Sequence, residues 1–308
     1  MKSIIWLAKV SLTCSLGMLL YLSAAGSLTN LARAEATTDQ PFSIVRPGTQ
    51  QPLSVESVLK KIARVNVVYL GETHDRPEDH QAQLTIIQAL HRLNPQLVVG
   101  MEMFQRPYQP VIDRYLAGKI TEAELIEQSQ YPKRWGFPWE FYAPIVRFAR
   151  DKGLPVIALN TLTEVTRKVA RSGLESLTLA EKRFIPPNSA IALGPVSYRQ
   201  RLGQIYDDIH HGKTSQANFE RFFQAQVLWD ETMAERIAQS LQQEPKRLVV
   251  VLVGQGHVVY GDGIPSRVAR RVPKVSQVSI LLNPPEEFQN QKEGAIADYF
   301  WFTFSGNR

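Results

Sequence analysis

Val67-Val68-Tyr69-Leu70-Gly71-Glu72-Thr73-His74-Asp75 is an apolar run that stops abruptly on a cluster of ionisable groups. A short run of β-prone residues with no polar alternation reads as a strand buried on both faces, the habit of parallel sheets covered by helices. The polar cluster then sits at the strand's C-terminal end. Leu248-Val249-Val250-Val251-Leu252-Val253 repeats the arrangement and runs into Gly254-Gln255-Gly256-His257. Both strands end in Gly-x-x-His. Composition alone predicts on the order of 0.35 such matches in the chain, so two copies, each behind a Val/Leu run, carry information. If the two strands are parallel neighbours in one sheet, both imidazoles emerge at the edge where open α/β sheets bind ligands.

Working outward, 54–63 has helical spacing and leads into the first strand. A second helix after the loop Arg76-Pro77-Glu78-Asp79-His80 places Ile86, Ile87, Leu90 and Leu93 on one face. Residues 97–104 form the next strand, completing a βαβ unit whose crossover should be right-handed. Its Glu102 is anomalous, because a carboxylate at the end of a buried apolar run costs several kcal/mol unless paired, hydrogen-bonded or bound to a cation. Helices are expected over 108–116, over 121–128 behind a Thr121/Glu124 capping box, and over 143–150. Between the last two, Tyr131 to Tyr142 is the most aromatic stretch of the chain. Its prolines and Gly136 keep its first half from being a regular helix, so that large rings are expected in a loop, against a pocket or over the core.

A strand is expected over 155–160, ending on Asn160. Residues 161–245 change to helices only and read as an inserted all-helical subdomain, in which Asp230 interrupts an otherwise apolar stripe and either caps polar groups across the domain or faces the site. The sheet resumes at 247–253, followed by a helix over 266–271, a strand over 275–282 and an edge strand over 299–304. The fold expected is α/β, a predominantly parallel sheet flanked by helices, with an α/β domain over 56–160 and 246–308.

The chain has 308 residues, 44% hydrophobic and 21% charged, an ordinary globular composition with material for a large core. Lys2 and Lys9 precede the uncharged apolar stretch 10–20, and Ala32-Arg33-Ala34 offers a small-x-small cleavage site, so 1–34 reads as an export signal. An uncleaved membrane anchor is the alternative reading. Residues 35–55, rich in Thr, Gln, Pro and Ser, are expected to form a linker. The single cysteine, Cys14, lies inside the signal, so the mature chain would have no disulfide, thiolate metal site or Cys nucleophile. Lys2, Lys9 and Arg33 leave with the signal, which reduces 35 basic residues to 32 against 29 acidic ones. That balance, and the lack of any basic run interleaved with aromatics, argues against a nucleic-acid partner.

Glu72, His74, Glu102 and His257 lie at three strand ends, with Asp75 and His80 close by in sequence. Carboxylate with imidazole is a ligand set for Zn, Mn, Co or Fe, here Glu72, His74, His80, Glu102 and His257. It is equally a general acid–base set, for which Glu72, His74, Glu102 and His257 are the catalytic candidates. No Gly-x-Ser-x-Gly elbow is present.

Leu70-Gly71-Glu72-Thr73-His74-Asp75, Glu102-Met103-Phe104, Ala225-Gln226 with Trp229-Asp230 and Met233-Ala234, and Val253-Gly254-Gln255-Gly256-His257 through Gly263-Ile264-Pro265 together resemble the ChaN-like haem-binding proteins of the Tiki superfamily. The resemblance runs in order over nearly the whole mature chain. It implies a parallel α/β sheet with an added helical domain, export to the periplasm or cell envelope, and a place in haem or iron uptake. Tiki metalloproteases, with paired Gly-x-x-His motifs, and erythromycin esterases, with a Glu and a His from a motif like Gly71 to His74, are more distant likenesses. Carried over residue by residue, they give Glu72, His74 and His257 metal-binding or catalytic roles, with Glu102 as a fourth member. The family's lipoproteins carry a lipobox cysteine that Ser11-Leu12-Thr13-Cys14 does not supply.

Two functions are therefore expected, in this order. As a haem-binding protein, monomeric or homodimeric, the chain would hold the porphyrin against aromatics, with Tyr142, Tyr198, Tyr206 and His210 as the candidate axial ligands. As a metal-dependent hydrolase, esterase- or protease-like, it would use the strand-end cluster to hold a divalent ion and activate water.

Overall fold

The computed structural model describes residues 42–49, 51–210, 215–290 and 296–304. The expected signal, and residues 35–41 and 50 of the expected linker, lie outside them. Among the described residues no helix is long and apolar enough to cross a membrane.

Among the described residues seven strands form one sheet in the order β1-β7-β6-β2-β5-β3-β4. They are β1 (Phe42–Val45), β2 (Val67–Glu72), β3 (Val98–Gln105), β4 (Val156–Asn160), β5 (Val249–Gly254), β6 (Gln277–Leu282) and β7 (Tyr299–Thr303). All pairings are parallel except that of β1 with β7. The two apolar runs that end in Gly-x-x-His are β2 and β5, and they are immediate neighbours in register, Gly71 opposite Val253 and Glu72 opposite Gly254. The chain goes from β2 to β3 and β4 on one side and later returns to insert β5 between β2 and β3. The strand order therefore reverses at the centre, the place where open sheets form a crevice at their C-terminal ends.

Every residue of β2 and β5 is buried, because helices cover both faces. On one face Val68, Leu70, Val99, Met101, Val250 and Leu252 pack against α1 (Val55–Ile62), α2 (Pro77–Leu93), α3 (Gln109–Leu116), α4 (Glu122–Gln128) and, beyond the four-residue α5 (Tyr131–Arg134), α6 (Trp139–Asp151). The alternate residues Val67, Tyr69, Val98, Val249, Val251 and Val253 face the other layer. After α7 (Thr163–Ser172), α8 (Leu179–Lys182) and α9 (Val196–His210), that layer is supplied by α10 (Gln216–Gln243) and α11 (Ile264–Arg271). The period of two in a strand sorts these side chains to opposite faces.

Three expectations are corrected. Residues 42–45, assigned to the linker, form β1. Phe42 stacks on Trp301 at 4.6 Å and Ile44 is fully buried, enough apolar area to order a strand out of a polar stretch. β7, expected at the edge, is consequently covered by β1, and the edges are β1 and β4. The aromatic stretch is loop only over 135–138. Pro132 sits in the first turn of α5, where its missing N–H costs nothing, and α6 begins at Trp139, four residues earlier than expected.

Within the expected insertion, 161–245, the last helix spans two layers. In α10 the N-terminal half packs on α7 and α9 through Phe223, Ala225, Val227 and Leu228, whereas Met233, Ala234, Ile237 and Leu241 lie on the sheet itself. One helix of 28 residues thus packs on both the helical part and the sheet.

Candidate functional site

The site grows from the end of β2. Glu72, 1% exposed, closes the strand, and two residues later His74 turns back so that its Nδ1 lies 2.7 Å from Glu72 Oε1. The same oxygen accepts a 2.5 Å hydrogen bond from the Tyr142 hydroxyl, delivered by α6, and Oε2 accepts from the Gln83 amide on α2. Burial would push this carboxyl up. The His74 bond and the charges of His74 and His80, with the Tyr142 bond, outweigh it and hold Glu72 below the usual carboxylate range. Against an ionised carboxylate, which only accepts, His74 carries its proton on Nδ1 and leaves Nε2 for the cleft.

The end of β5 repeats this chemistry from different elements. His257 Nδ1 lies 2.5 Å from Asp230 Oδ1 on α10, and Asp230 Oδ2 accepts a 2.6 Å hydrogen bond from the Tyr198 hydroxyl on α9. Asp230, which the sequence left between two roles, therefore faces the site through His257. Glu102 stands between the two assemblies. Its Oε2 accepts from the Gly254 N–H at 2.8 Å and its Oε1 is 3.6 Å from His257 Nε2. β3 is irregular here, its register against β4 shifting between Met101 and Gln105. Such an irregularity re-aims a side chain near a site.

For both histidines burial works against the imidazolium. The carboxylates outweigh it, Glu72 with Glu102 at His74 and Glu102 with Asp230 at His257, and both are raised above the ordinary imidazole value.

Two glycines make the approach possible. A Cβ at Gly254 would stand 3.0 Å from Cε1 and Nε2 of His74, and one at Gly263 would stand 2.1 Å from the carbonyl oxygen of His257 and 3.0 Å from Asp230 Oδ2. Gly254 marks a place where the backbone passes within contact distance of the His74 imidazole, and Gly263 one where it passes the His257 backbone carbonyl and the Asp230 carboxylate.

Above this floor opens a cleft of about 370 Å³, within the range of small-molecule sites. Trp135, Phe137, Phe222, Trp229 and Tyr260 wall it, and Lys133, Arg134, Arg167 and Arg201 contribute cations. His74 touches Trp135 and Phe137 edge-on or tilted, and His257 touches Trp229. Arg201 lies over the Tyr260 ring at 4.2 Å and pairs with Asp262, and Arg134 pairs with Glu164. Arg167 has no ion pair among the described residues.

His74, Glu102 and His257 thus meet at one cleft. His80 does not join them. It is 4% exposed, stacks on Phe141 at 4.8 Å, and bonds through Nε2 to the carbonyl of His74 from behind. Asp75 is exposed at the surface. Among the described residues no group of three or more His, Cys, Asp or Glu side chains is arranged to hold a metal ion. Both oxygens of Glu72 accept hydrogen bonds, from Tyr142, Gln83 and His74, and Oε2 of Glu102 accepts from the Gly254 N–H.

The haem-ligand candidates fare unevenly. Tyr142 is wholly buried behind Glu72. Tyr198 borders the cleft, but its hydroxyl is committed to Asp230. Tyr206 packs among Phe219, Phe222 and His210, away from the cleft, and His210 is exposed. Burial first, and the adjoining carboxylate second, push the Tyr142 and Tyr198 phenols well above their usual value, so both stay protonated donors. The sequence reading missed Gln83 and Asp79. Asp79, at the start of α2, accepts from the Thr73 N–H and from Asn283 Nδ2, both at 2.7 Å, and so holds the turn that carries His74. Burial pushes its carboxyl up to about 7, with the Thr73 and Asn283 bonds acting the other way.

Two predictions follow from this geometry. Gly263→Ala should destabilise the fold by about 3 kcal/mol or more in urea unfolding, since a Cβ would overlap the His257 carbonyl. Asp79 binds its proton more tightly folded than unfolded. Its contribution to stability should therefore fall as pH rises from about 4 towards 7 and then level off. The difference in melting temperature between the wild type and Asp79→Asn should show that trend. A difference independent of pH would contradict it.

The cleft can be set beside known proteins. A solved structure described as cofacial haem binding to ChaN of Campylobacter jejuni superposes with a TM-score of 0.65 at 19% identity, covering 86% of this chain and 97% of that one, which shows a shared fold. A mutant erythromycin esterase in its open conformation gives 0.47 at 12% identity over 78% of this chain and 76% of its own. Among curated proteins, RETICULATA-RELATED 5 of Arabidopsis thaliana, a chloroplastic protein, is 28% identical over 275 residues, 82% of this chain. The chain spans 36% of that relative's length. The model of the family described as haem-binding uptake, Tiki superfamily, ChaN, matches residues 58–268, and the chain belongs to that family.

Proposed function

We propose that this protein binds haem in the cleft above β2 and β5, and that it is an exported protein of haem or iron handling. The observation that carries the reading is the meeting of two imidazoles, each fixed through Nδ1, at the floor of a cleft walled by large aromatic rings. Membership of the haem-binding uptake family supports it. The residues fit the group. Flat rings suit a porphyrin face, and Lys133, Arg134, Arg167 and Arg201 suit its propionates.

Haem, when bound, would supply an iron that takes nitrogen or phenolate ligands. His74 and His257 line the cleft with Nδ1 already committed to a carboxylate, and Tyr260 lines it as well. Tyr142, Tyr206 and His210 do not border it. Tyr260 has φ of +59°, a conformation that costs a non-glycine residue of order 1–3 kcal/mol and gathers at functional sites. Glu72 and Asp230 keep the two imidazoles oriented, as carboxylates behind ligating histidines do. Export rests on the basic, apolar and small-x-small pattern of residues 1–34 and belongs to this proposal.

Titration of the purified protein with haemin should give a saturable Soret shift, and the double variant His74→Ala/His257→Ala should weaken binding by roughly tenfold or more, about 1.4 kcal/mol. Absence of a shift in the wild type, or the same curve in the double variant, would overturn the reading.

A further inference from the structure

Among the described residues two buried phenols donate to a carboxylate at 2.6 Å or less, Tyr142 to Glu72 Oε1 at 2.5 Å and Tyr198 to Asp230 Oδ2 at 2.6 Å. A short bond to a carboxylate does more than hold a ring in place. Removing one electron from a phenol makes its O–H strongly acidic, so a tyrosine gives up an electron readily only where a base stands ready to take the proton in the same motion. Other buried tyrosines lack that base. Tyr69 donates to the amide oxygen of Gln277, which is far too weak a base to take the proton, and the Tyr131 hydroxyl has no hydrogen-bond partner. Oxidation of Tyr131 would strand a charge among apolar rings.

Tyr142 is also connected to the cleft. The Trp135 indole lines it, lies 4.8 Å from the His74 ring, and meets the Tyr142 ring edge-on at 6.3 Å. Indole and phenol are the aromatic side chains that give up an electron most readily, so Trp135 is a stepping stone between the cleft and Tyr142. Tyr198 borders the cleft directly, but the Arg267 guanidinium lies 4.8 Å over its ring and opposes the withdrawal of an electron. Among the described residues no arginine or lysine lies over the Tyr142 ring. Of the two phenols with a base in place, Tyr142 is therefore the easier to oxidise.

We propose that Tyr142 is a redox-active residue that takes up an oxidising equivalent generated in the cleft, relayed by Trp135, and holds it as a neutral tyrosyl radical. The inference rests on the haem reading for the source of the oxidant, hydrogen peroxide acting on bound haem, and on the chain's own geometry for every later step. One electron and one proton move. Trp135 passes an electron to the oxidant, and Tyr142 refills Trp135. The Tyr142 O–H bond breaks as this happens, and its proton crosses to Glu72 Oε1, which becomes a carboxylic acid. Tyr142 is fully buried, so its radical cannot couple with that of a second molecule. A soluble one-electron reductant such as ascorbate returns the electron by the same route, and Glu72 returns the proton. Oxidising power is thus drawn off the cleft before it attacks the ligand or the rings around it.

The test uses the purified full chain in two samples. One, free of haem, is flashed with ruthenium tris-bipyridine and persulfate; the other, loaded with haemin, is mixed with hydrogen peroxide. Both are freeze-quenched at increasing delays for electron paramagnetic resonance. The proposal expects a tyrosyl signal that outlasts the radicals of exposed tyrosines, is lost in Tyr142→Phe and in Glu72→Gln, and persists in Tyr198→Phe. Loss in Glu72→Gln, whose amide cannot take the proton, is an effect that a merely structural role of Tyr142 does not predict. Should Tyr142→Phe and Glu72→Gln fail to fold by circular dichroism, Trp135→Phe at the half-buried cleft wall decides, and the long-lived signal should be lost there too. Absence of that signal in the flashed wild type, a signal indifferent to these substitutions, or one lost in Tyr198→Phe would overturn the inference. Haemin separates the two readings. No Soret shift sinks haem binding while the flash experiment still decides the role of Tyr142, and a Soret shift with no Tyr142-dependent signal after peroxide sinks only this inference.

Discussion

Three carboxylates, Glu72, Glu102 and Asp230, are each 1% exposed at the C-terminal edge of one sheet, and the rest of the architecture is arranged around satisfying them. An unpaired buried carboxylate costs several kcal/mol, a large fraction of the stability of any domain. Each of the three is answered by directed donors. Glu72 takes bonds from His74, Tyr142 and Gln83, Asp230 from His257 and Tyr198, and Glu102 from the Gly254 N–H. The donors come from α2, α6, α9, β5 and the turns after β2 and β5, so the polar floor can assemble only when both helical layers are docked. Such a network is costly if half made and specific when complete.

The same requirement explains why helices so remote from the sheet's centre matter to it. Glu231, next to Asp230 on α10, is fully buried and faces Arg267, Arg270 and Arg271 of α11. This cluster fixes α10 against α11 beside the residue that orients His257. The cost of burying those charges is offset only by good geometry. Its evident return is a fixed register of α10, and hence a fixed Asp230. On the other side, Asp79 and Asn283 hold the turn that carries His74, so each imidazole is secured from its own layer.

Much of this was legible in the chain. The runs 67–70 and 248–253 announce buried parallel strands because such strands lack polar alternation, and the doubled Gly-x-x-His marks their shared edge. Glu102 was visible as a carboxylate out of place. What escaped the sequence reading was the identity of the partners. Tyr142 lies 70 residues from Glu72 and Tyr198 lies 32 from Asp230, and no local spacing links them. Both read as ligand-facing in sequence, whereas their hydroxyls are spent on carboxylates. His80, at the start of a helix, can turn towards the cleft or towards the core. Phe141 and the His74 carbonyl draw it inward. The pattern FSIV at 42–45 was too short to stand out of a polar segment until Trp301 gave it a surface to cover.

The central claim is that two imidazoles are each held through Nδ1 by their own buried carboxylate. Long-range ¹H–¹⁵N NMR of the histidine side chains tests it most directly. The account predicts that His74 and His257 show slowly exchanging, downfield Nδ1 protons, that Glu72→Gln abolishes the shift for His74 alone, and that Asp230→Asn abolishes it for His257 alone. Two rapidly exchanging imidazoles with mixed tautomers and no response to either substitution would contradict it.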